Sequence, residues 1–312
     1  MFEEAFNPEK YEWVEIRGAM VGFPPPDKIP DFHVVEREDL IEKALAAWKP
    51  LDGLPPLNFR LYGPPGGGKN ALVYGLAQIL HKPLYIQLGH EVQDPRDLAC
   101  TPQMTRRGDI VYTAKAIFAA MLKGGICFFD ELDKATESAL HPLASVLDDR
   151  RSLDVDQVGI RIKAHEDFLF CASSNEDEEV GPGLPGFIDE RTRPAFYVGY
   201  PDYRTLEKIL RSHLPMAADI WFRVFLEEFG NEQVCPRVSR ELLTFAYRLS
   251  PGGKAVVSEA DVRACLEKAK EDVDLRERKK KSEPESDEIQ GEDWEGKDVG
   301  IRLLFPKDET VH

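Results

Sequence analysis

The sequence predicts an α/β fold: a parallel sheet of five short strands covered on both faces, followed by a smaller helical unit. Three observations carry this. Short apolar runs near 57–62, 83–88, 125–130, 168–172 and 195–199 alternate with helix-length stretches, the pattern of strands buried on both faces. A Gly- and Pro-rich turn, Gly63 to Gly68, joins the first of these strands to a helix. Beyond Pro201 the periodicity turns helical throughout.

Each element has its own signal. Residues 1–33 are mixed, with Pro24, Pro25, Pro26 and Pro30, and read as an irregular extension with a short strand near 11–17. Leu40, Ile41, Leu45 and Trp48 at helical spacing predict a helix over 34–48, ended by Pro50, Pro55 and Pro56. Helices are expected at about 69–81, 113–123 and 137–148. The alternation of Leu153, Val155, Val158, Ile160 and Ile162 predicts a hairpin over 151–163. Four helices follow, at 202–213, 215–229, 239–250 and 258–273. From about 276 the composition shifts to Glu, Asp, Ser and Gly, the signature of a disordered tail, before an apolar end at 299–306. The expected organisation is therefore an extension (1–33), an α/β core (34–201), a helical lid (202–275) and an acidic tail (276–312).

Composition narrows the function. The 312 residues fit about two domains. Forty Lys and Arg against 56 Asp and Glu leave a formal charge of −16, which disfavours nucleic acid and anionic membrane as partners. No apolar run reaches the ~18 residues of a membrane span. The acidic start is no secretory signal, and the five cysteines, odd in number and scattered, form no CxxC and no zinc spacing, so a reduced, cytoplasmic setting is expected. The histidines form no ligand set.

Two motifs carry chemistry. Gly63, Pro64, Pro65, Gly66, Gly67, Gly68, Lys69 and Asn70 fit G-x-x-x-x-G-K, followed by Ala71 in the helix. Such a turn aims backbone N–H groups at phosphate oxygens, the helix N-terminus adds positive potential, and Lys69 reaches the outer phosphates. Asn70 stands where Ser or Thr normally supplies a hydroxyl to Mg²⁺. Its amide oxygen can bind a hard cation, or the side chain leaves the metal alone. The second motif is the apolar strand Ile126-Cys127-Phe128-Phe129, which ends in Asp130 and Glu131. Asp130 suits a Mg²⁺ site, and Glu131 suits a base that polarises an attacking water.

Together with Leu132-Asp133-Lys134-Ala135, Leu140 through Leu147, Arg150-Arg151-Ser152-Leu153, Ala172-Ser173-Ser174-Asn175 and Val198-Gly199-Tyr200-Pro201, these motifs resemble an AAA+ ATPase of the MoxR/CbbQ/NorQ type over residues 34–270. The resemblance implies a P-loop core of strand order 5-1-4-3-2, with ATP and Mg²⁺ as cofactors. It implies hydrolysis between subunits of a homo-hexameric ring that remodels a protein client, with proteins bearing a von Willebrand factor A domain as one class of partner. It assigns Asn175 to the first sensor position, and it sets the arginine finger in Gly186–Pro194, favouring Arg191 over Arg193. The second sensor falls to Arg237 or Arg240. Arg240 follows Ser239, which suits a helix N-cap. Arg106-Arg107 and Arg150-Arg151 fall on insertions that face the pore in this family, or are solvated surface charge. Against this stands a nucleotide-binding switch or scaffold that hydrolyses weakly, for which Asn70 is the sequence support.

Overall fold

The computed structural model describes residues 8–30, 37–105, 107–175, 184–229, 235–250 and 258–281. The chain begins with a hairpin of β1 (Glu12–Ile16) and β2 (Ala19–Phe23). Its two turn residues, Arg17 and Gly18, both take positive φ (49° and 82°), the twist a tight hairpin needs. Helix α1 (Glu38–Trp48) buries Leu40, Ala44, Ala47 and Trp48, and the Trp48 indole donates to the Phe170 carbonyl at 3.2 Å. Strand β3 (Phe59–Tyr62), helix α2 (Lys69–Leu80) and strand β4 (Leu84–Leu88) follow.

A second hairpin, β5 (Cys100–Met104) and β6 (Ile110–Ala114), precedes α3 (Ala116–Lys123). The helix expected from 113 therefore starts at 116. Ile110-Val111-Tyr112-Thr113 has the β-branched and aromatic composition of a strand, and β6 pairs in parallel with β2. The supposed N-terminal extension is thus half of a four-stranded sheet, β1-β2-β6-β5. Strand β7 (Ile126–Asp130), helix α4 (His141–Leu147), the antiparallel pair β8 (Ser152–Val155) and β9 (Ile160–Lys163), strand β10 (Leu169–Ser174), the one-turn α5 (Gly186–Asp189) and strand β11 (Ala195–Tyr197) complete this part.

The central sheet is parallel throughout, in the order β11-β3-β10-β7-β4, which is the expected 5-1-4-3-2. Its strands are apolar on both sides because both faces are covered. One face packs Leu61, Phe128 and Cys171 against Leu40, Trp48, Leu72 and Leu76. The other packs Phe129, Phe170 and Ala172 against Phe118, Leu143 and Val146. The carboxyl ends of β3, β7 and β10 share one edge, where open α/β sheets bind ligands.

Helices α6 (Tyr203–His213), α7 (Asp219–Phe229), α8 (Pro236–Leu249) and α9 (Glu259–Lys281) form a separate core around Trp221, Phe222, Phe225, Leu243 and Leu266. Two expectations are corrected here. Helix α8 begins at Pro236, a residue suited to the first helical position, so Ser239 is a buried residue of the second turn and not a cap. Helix α9 continues to Lys281, past the expected start of disorder at 276, because the Glu-, Lys- and Arg-rich run there favours helix. The rest of the tail, including the apolar end at 299–306, lies outside the described residues, as do 34–36 of the first expected helix.

Candidate nucleotide site

The Gly63–Gly68 turn links β3 to α2 and is boxed in by other segments. Gly66 takes φ +78°, and a Cβ there would lie 2.4 Å from the Cys235 sulfur. A Cβ on Gly67 would lie 2.7 Å from the Val198 carbonyl oxygen. Only glycine fits at these two approaches. The first backbone bond of α2 runs from the Leu72 N–H to the Gly68 carbonyl, so the N–H groups of Lys69, Asn70 and Ala71 have no intrahelical acceptor. The turn and these N–H groups form a cradle that fits phosphate oxygens.

Lys69 is 6 % exposed. Its Nζ donates to the carbonyls of Gly63 (2.8 Å) and Pro64 (3.0 Å) and to Asn175 Oδ1 (2.8 Å). Burial pulls the ammonium below its ordinary pKa, opposed by the carboxylates of Asp130, Asp133 and Glu131. The Asn175 amide then donates from Nδ2 to Glu131 Oε1 at 3.1 Å, and its backbone N–H donates to Asp133 Oδ1 at 3.3 Å. One chain of hydrogen bonds thus runs from Lys69 through Asn175 to Glu131.

Asp130, the last residue of β7, accepts from Ser173 Oγ at 2.6 Å and from Asn70 Nδ2 at 2.7 Å. Ser173 was legible only as part of the Ala172–Asn175 motif and carried no role. Its signal is polarity on a strand that is otherwise apolar from Leu169 to Ala172, and it is fully buried. The Glu131 N–H donates to the same Ser173 oxygen at 2.9 Å. Glu131 itself sits at φ +54°, a strained conformation for a side chain other than glycine, held from behind by Gly89. A Cβ on Gly89 would stand 1.9 Å from the Glu131 carbonyl oxygen. Gly89→Ala is expected to displace this corner, destabilising the fold by about 2 kcal/mol and lowering nucleotide turnover. Chemical denaturation and a turnover assay check it, and wild-type values in both would remove Gly89 from the account.

The remaining arginines are tied to their own neighbourhoods. Arg191 donates from Nη1 to the Phe187 carbonyl at 2.8 Å, and its buried Nε has no partner among the described residues. Arg193 is exposed and pairs with Asp189, which also binds Arg60 at 2.8 Å. Arg240 turns to His213 Nδ1 at 3.0 Å, bridging α8 and α6, and does not enter the phosphate cradle. Because α8 starts earlier than expected, it is Arg237 whose Cβ lies 3.4 Å from the Cβ position of Gly66. Arg151, read as a pore-facing or surface charge, instead donates to the Phe168 carbonyl at 2.9 Å and covers the Phe168 ring. Arg150 is exposed and paired with Asp148; Arg106 lies outside the described residues. A further arginine was missed: Arg37 donates to the Gly199 carbonyl at 2.6 Å and the Gly67 carbonyl at 3.4 Å, and no motif marks it. Among the described residues no group of three or more His, Cys, Asp and Glu is placed to hold a metal by itself, and no helix is long and apolar enough to cross a membrane.

A glycine-rich turn between the first strand and its helix, an acidic pair on the third strand and an amide on the fourth, in a sheet of this order, fit the P-loop NTPases of the AAA+ class. The family profile of the AAA domain (dynein-related subfamily) matches residues 58–189. The denitrification regulatory protein NirQ of Pseudomonas aeruginosa is 34 % identical over 230 residues, 68 % of this chain and 82 % of that protein. NirQ of Stutzerimonas stutzeri is 30 % identical over 224 residues, covering 66 % and 75 %. Protein NorQ of Paracoccus denitrificans is 36 % identical over 118 residues, and there the chain spans only 42 % of the relative. In fold, the RuvB Holliday junction branch migration motor of Thermotoga maritima superposes with a TM-score of 0.53 at 17 % identity, over 75 % of this chain and 69 % of that one. The chain belongs to the AAA+ ATPases of the MoxR/CbbQ/NorQ type. Membership implies nucleotide binding, typically with Mg²⁺.

Proposed function

We propose that this chain binds and hydrolyses ATP with Mg²⁺, and that assembly into a ring, a homo-hexamer by family resemblance, couples hydrolysis to remodelling of a protein client. The observation that carries this is the gathering of four groups at the carboxyl edge of the sheet: Lys69, Asn175 and Glu131, joined in a chain by hydrogen bonds of 2.8 and 3.1 Å, and the Asp130 carboxylate that precedes Glu131. The donor set fits the cofactor: an N–H cradle and an ammonium for phosphates, and a strand-end carboxylate for a hard cation. Bound Mg²⁺·ATP supplies an electrophilic γ-phosphorus and a neutralised leaving group. Lys69 exchanges the carbonyls of Gly63 and Pro64 for phosphate oxygens. Asn175, relieved of Lys69, is left to orient water and Glu131. Glu131 accepts the proton of the attacking water at Oε1 or Oε2.

Arg237, not Arg240, is the second sensor on this reading, since it stands beside the cradle. Arg191 remains the favoured finger, reaching the site of a neighbouring subunit, with Arg193 as its rival. The client is a protein, with a von Willebrand factor A domain as one class, and the setting is cytoplasmic. That two relatives are named regulatory proteins supports an ATPase serving another protein over one with a metabolic substrate. A second reading, a switch with weak hydrolysis, is favoured by one observation: Asn70 offers Asp130 an amide where a hydroxyl would serve the metal.

ATP turnover per subunit, measured with Mg²⁺ over a range of protein concentrations, separates the two. A rate per subunit that climbs with concentration is expected, as sites completed by a neighbour require, with the climb flattened in Arg191→Ala. Tight ATP binding with negligible turnover at every concentration would favour the switch.

A further inference from the structure

The carboxylate at the end of β7 is held on both oxygens by neutral donors from two different elements. Ser173, on the neighbouring strand β10, approaches Oδ1 at 2.6 Å. Asn70, on the second residue of α2, approaches Oδ2 at 2.7 Å. An ionised carboxylate only accepts, so the Asn70 side chain must turn its NH₂ to Asp130 and not its oxygen. The Tyr74 hydroxyl, one helical turn further along α2, hydrogen-bonds to the same amide. Ser173 is more than a donor. Its oxygen also accepts the Glu131 N–H at 2.9 Å, so one fully buried hydroxyl fixes Asp130 and the strained backbone of Glu131 together.

A Ser or Thr at position 70 has a short side chain and one hydroxyl. An amide is longer by one bond and carries two donor hydrogens. That length brings Asn70 to the carboxylate. The departure from the usual loop pattern and the buried serine therefore act on the same group from opposite sides.

We propose that Asn70 and Ser173 form a clamp on Asp130: both are positioning residues that fix the metal-binding carboxylate, and Asn70 is not itself a metal ligand. This rests on reading the site as one for a Mg²⁺-nucleotide. In such a clamp the carboxylate's orientation is set before any cation arrives. Removing either arm leaves Asp130 in place but free to rotate, and metal affinity falls without loss of the phosphate cradle. Outer partners of metal-binding carboxylates commonly act this way.

The test reads binding, not turnover. The affinity of the full chain for a fluorescent ADP is measured with Mg²⁺ and with chelator, and the ratio of the two gives the metal's share. Asn70→Ala and Ser173→Ala are each expected to cut that ratio about tenfold while leaving affinity in chelator within about twofold. Ser173→Thr, which keeps the hydroxyl, restores it. In an Asp130→Ala background neither substitution lowers the ratio further, because the group they position is gone. If Asn70→Ala still lowers the ratio in that background, the amide touches the metal directly and the clamp is overturned. It is equally overturned if the single variants keep the wild-type ratio. A wild type whose affinity ignores Mg²⁺ would instead sink the reading of the site itself, and the clamp with it.

Discussion

Lys69→Ala is expected to weaken ATP binding at least 100-fold. The ammonium is the single buried cation among the described residues of the phosphate loop, and at present it spends its three hydrogens on two backbone carbonyls and Asn175. Bound phosphates replace those acceptors with anionic ones, and charge-assisted bonds are roughly twice as strong as neutral ones. Losing two of them costs about 3 kcal/mol or more, which is over two orders of magnitude in affinity. The variant also frees the Gly63 and Pro64 carbonyls, so thermal unfolding should accompany the titration to show that the fold survives. ATP affinity unchanged in a folded Lys69→Ala protein would end the phosphate-cradle assignment.

Glu131→Gln should separate binding from chemistry. Gln keeps the size and still accepts the hydrogen bond from Asn175 through its amide oxygen, so the Lys69–Asn175 link and the cradle are undisturbed. It removes the basic oxygen. General-base catalysis contributes about 10²- to 10⁴-fold, and turnover should fall within that range while ATP affinity stays near wild type. Single-turnover measurement with preloaded ATP isolates the step. Equal rates in the two proteins would show that another group handles the water's proton. Glu and Gln meet the same steric cost at φ +54°, so the comparison reads the carboxylate and not the corner that holds it.

The parts of this fold that were legible in the sequence are those specified by local pattern. Short apolar runs gave the five strands of the central sheet, and the Gly63–Lys69 turn marked which of them is first. Strand order came from the family resemblance, and the hydrogen-bonded order agrees with it. The second sheet was missed because its central pairing joins Val21 to Tyr112 across some ninety residues. Nothing local marks such a partner, and strand propensity is largely a matter of who the neighbours are. Helix α8 was misplaced for a different reason. Ser239 is a good cap by type, but Pro236 at the first helical position was the stronger signal, and the shift of one turn exchanged Arg240 for Arg237 beside the loop. At the candidate site, residue types with an evident chemistry were visible: Lys69, Asp130, Glu131 and Asn175. Ser173 and Arg37 were not, because what they do is hold other groups in place, and that depends on partners 43 and 162 positions away.

Gly66 and Gly67 of the phosphate turn owe their emptiness to neighbours from distant parts of the chain. The space beside Gly67 is taken by the Val198 carbonyl, at the exit of β11, and that beside Gly66 by the Cys235 sulfur, at the entrance of α8. The turn is thus the meeting point of the sheet and the helical unit that follows it. Whatever alters the tilt of that unit alters the shape offered to the nucleotide. Thermodynamic reciprocity makes the converse equally binding: a protein that grips the helices and tilts them must change ATP affinity by the factor by which ATP changes the grip. On the proposed function, binding of a protein client to these helices and of nucleotide at the turn are therefore expected to be coupled through this contact.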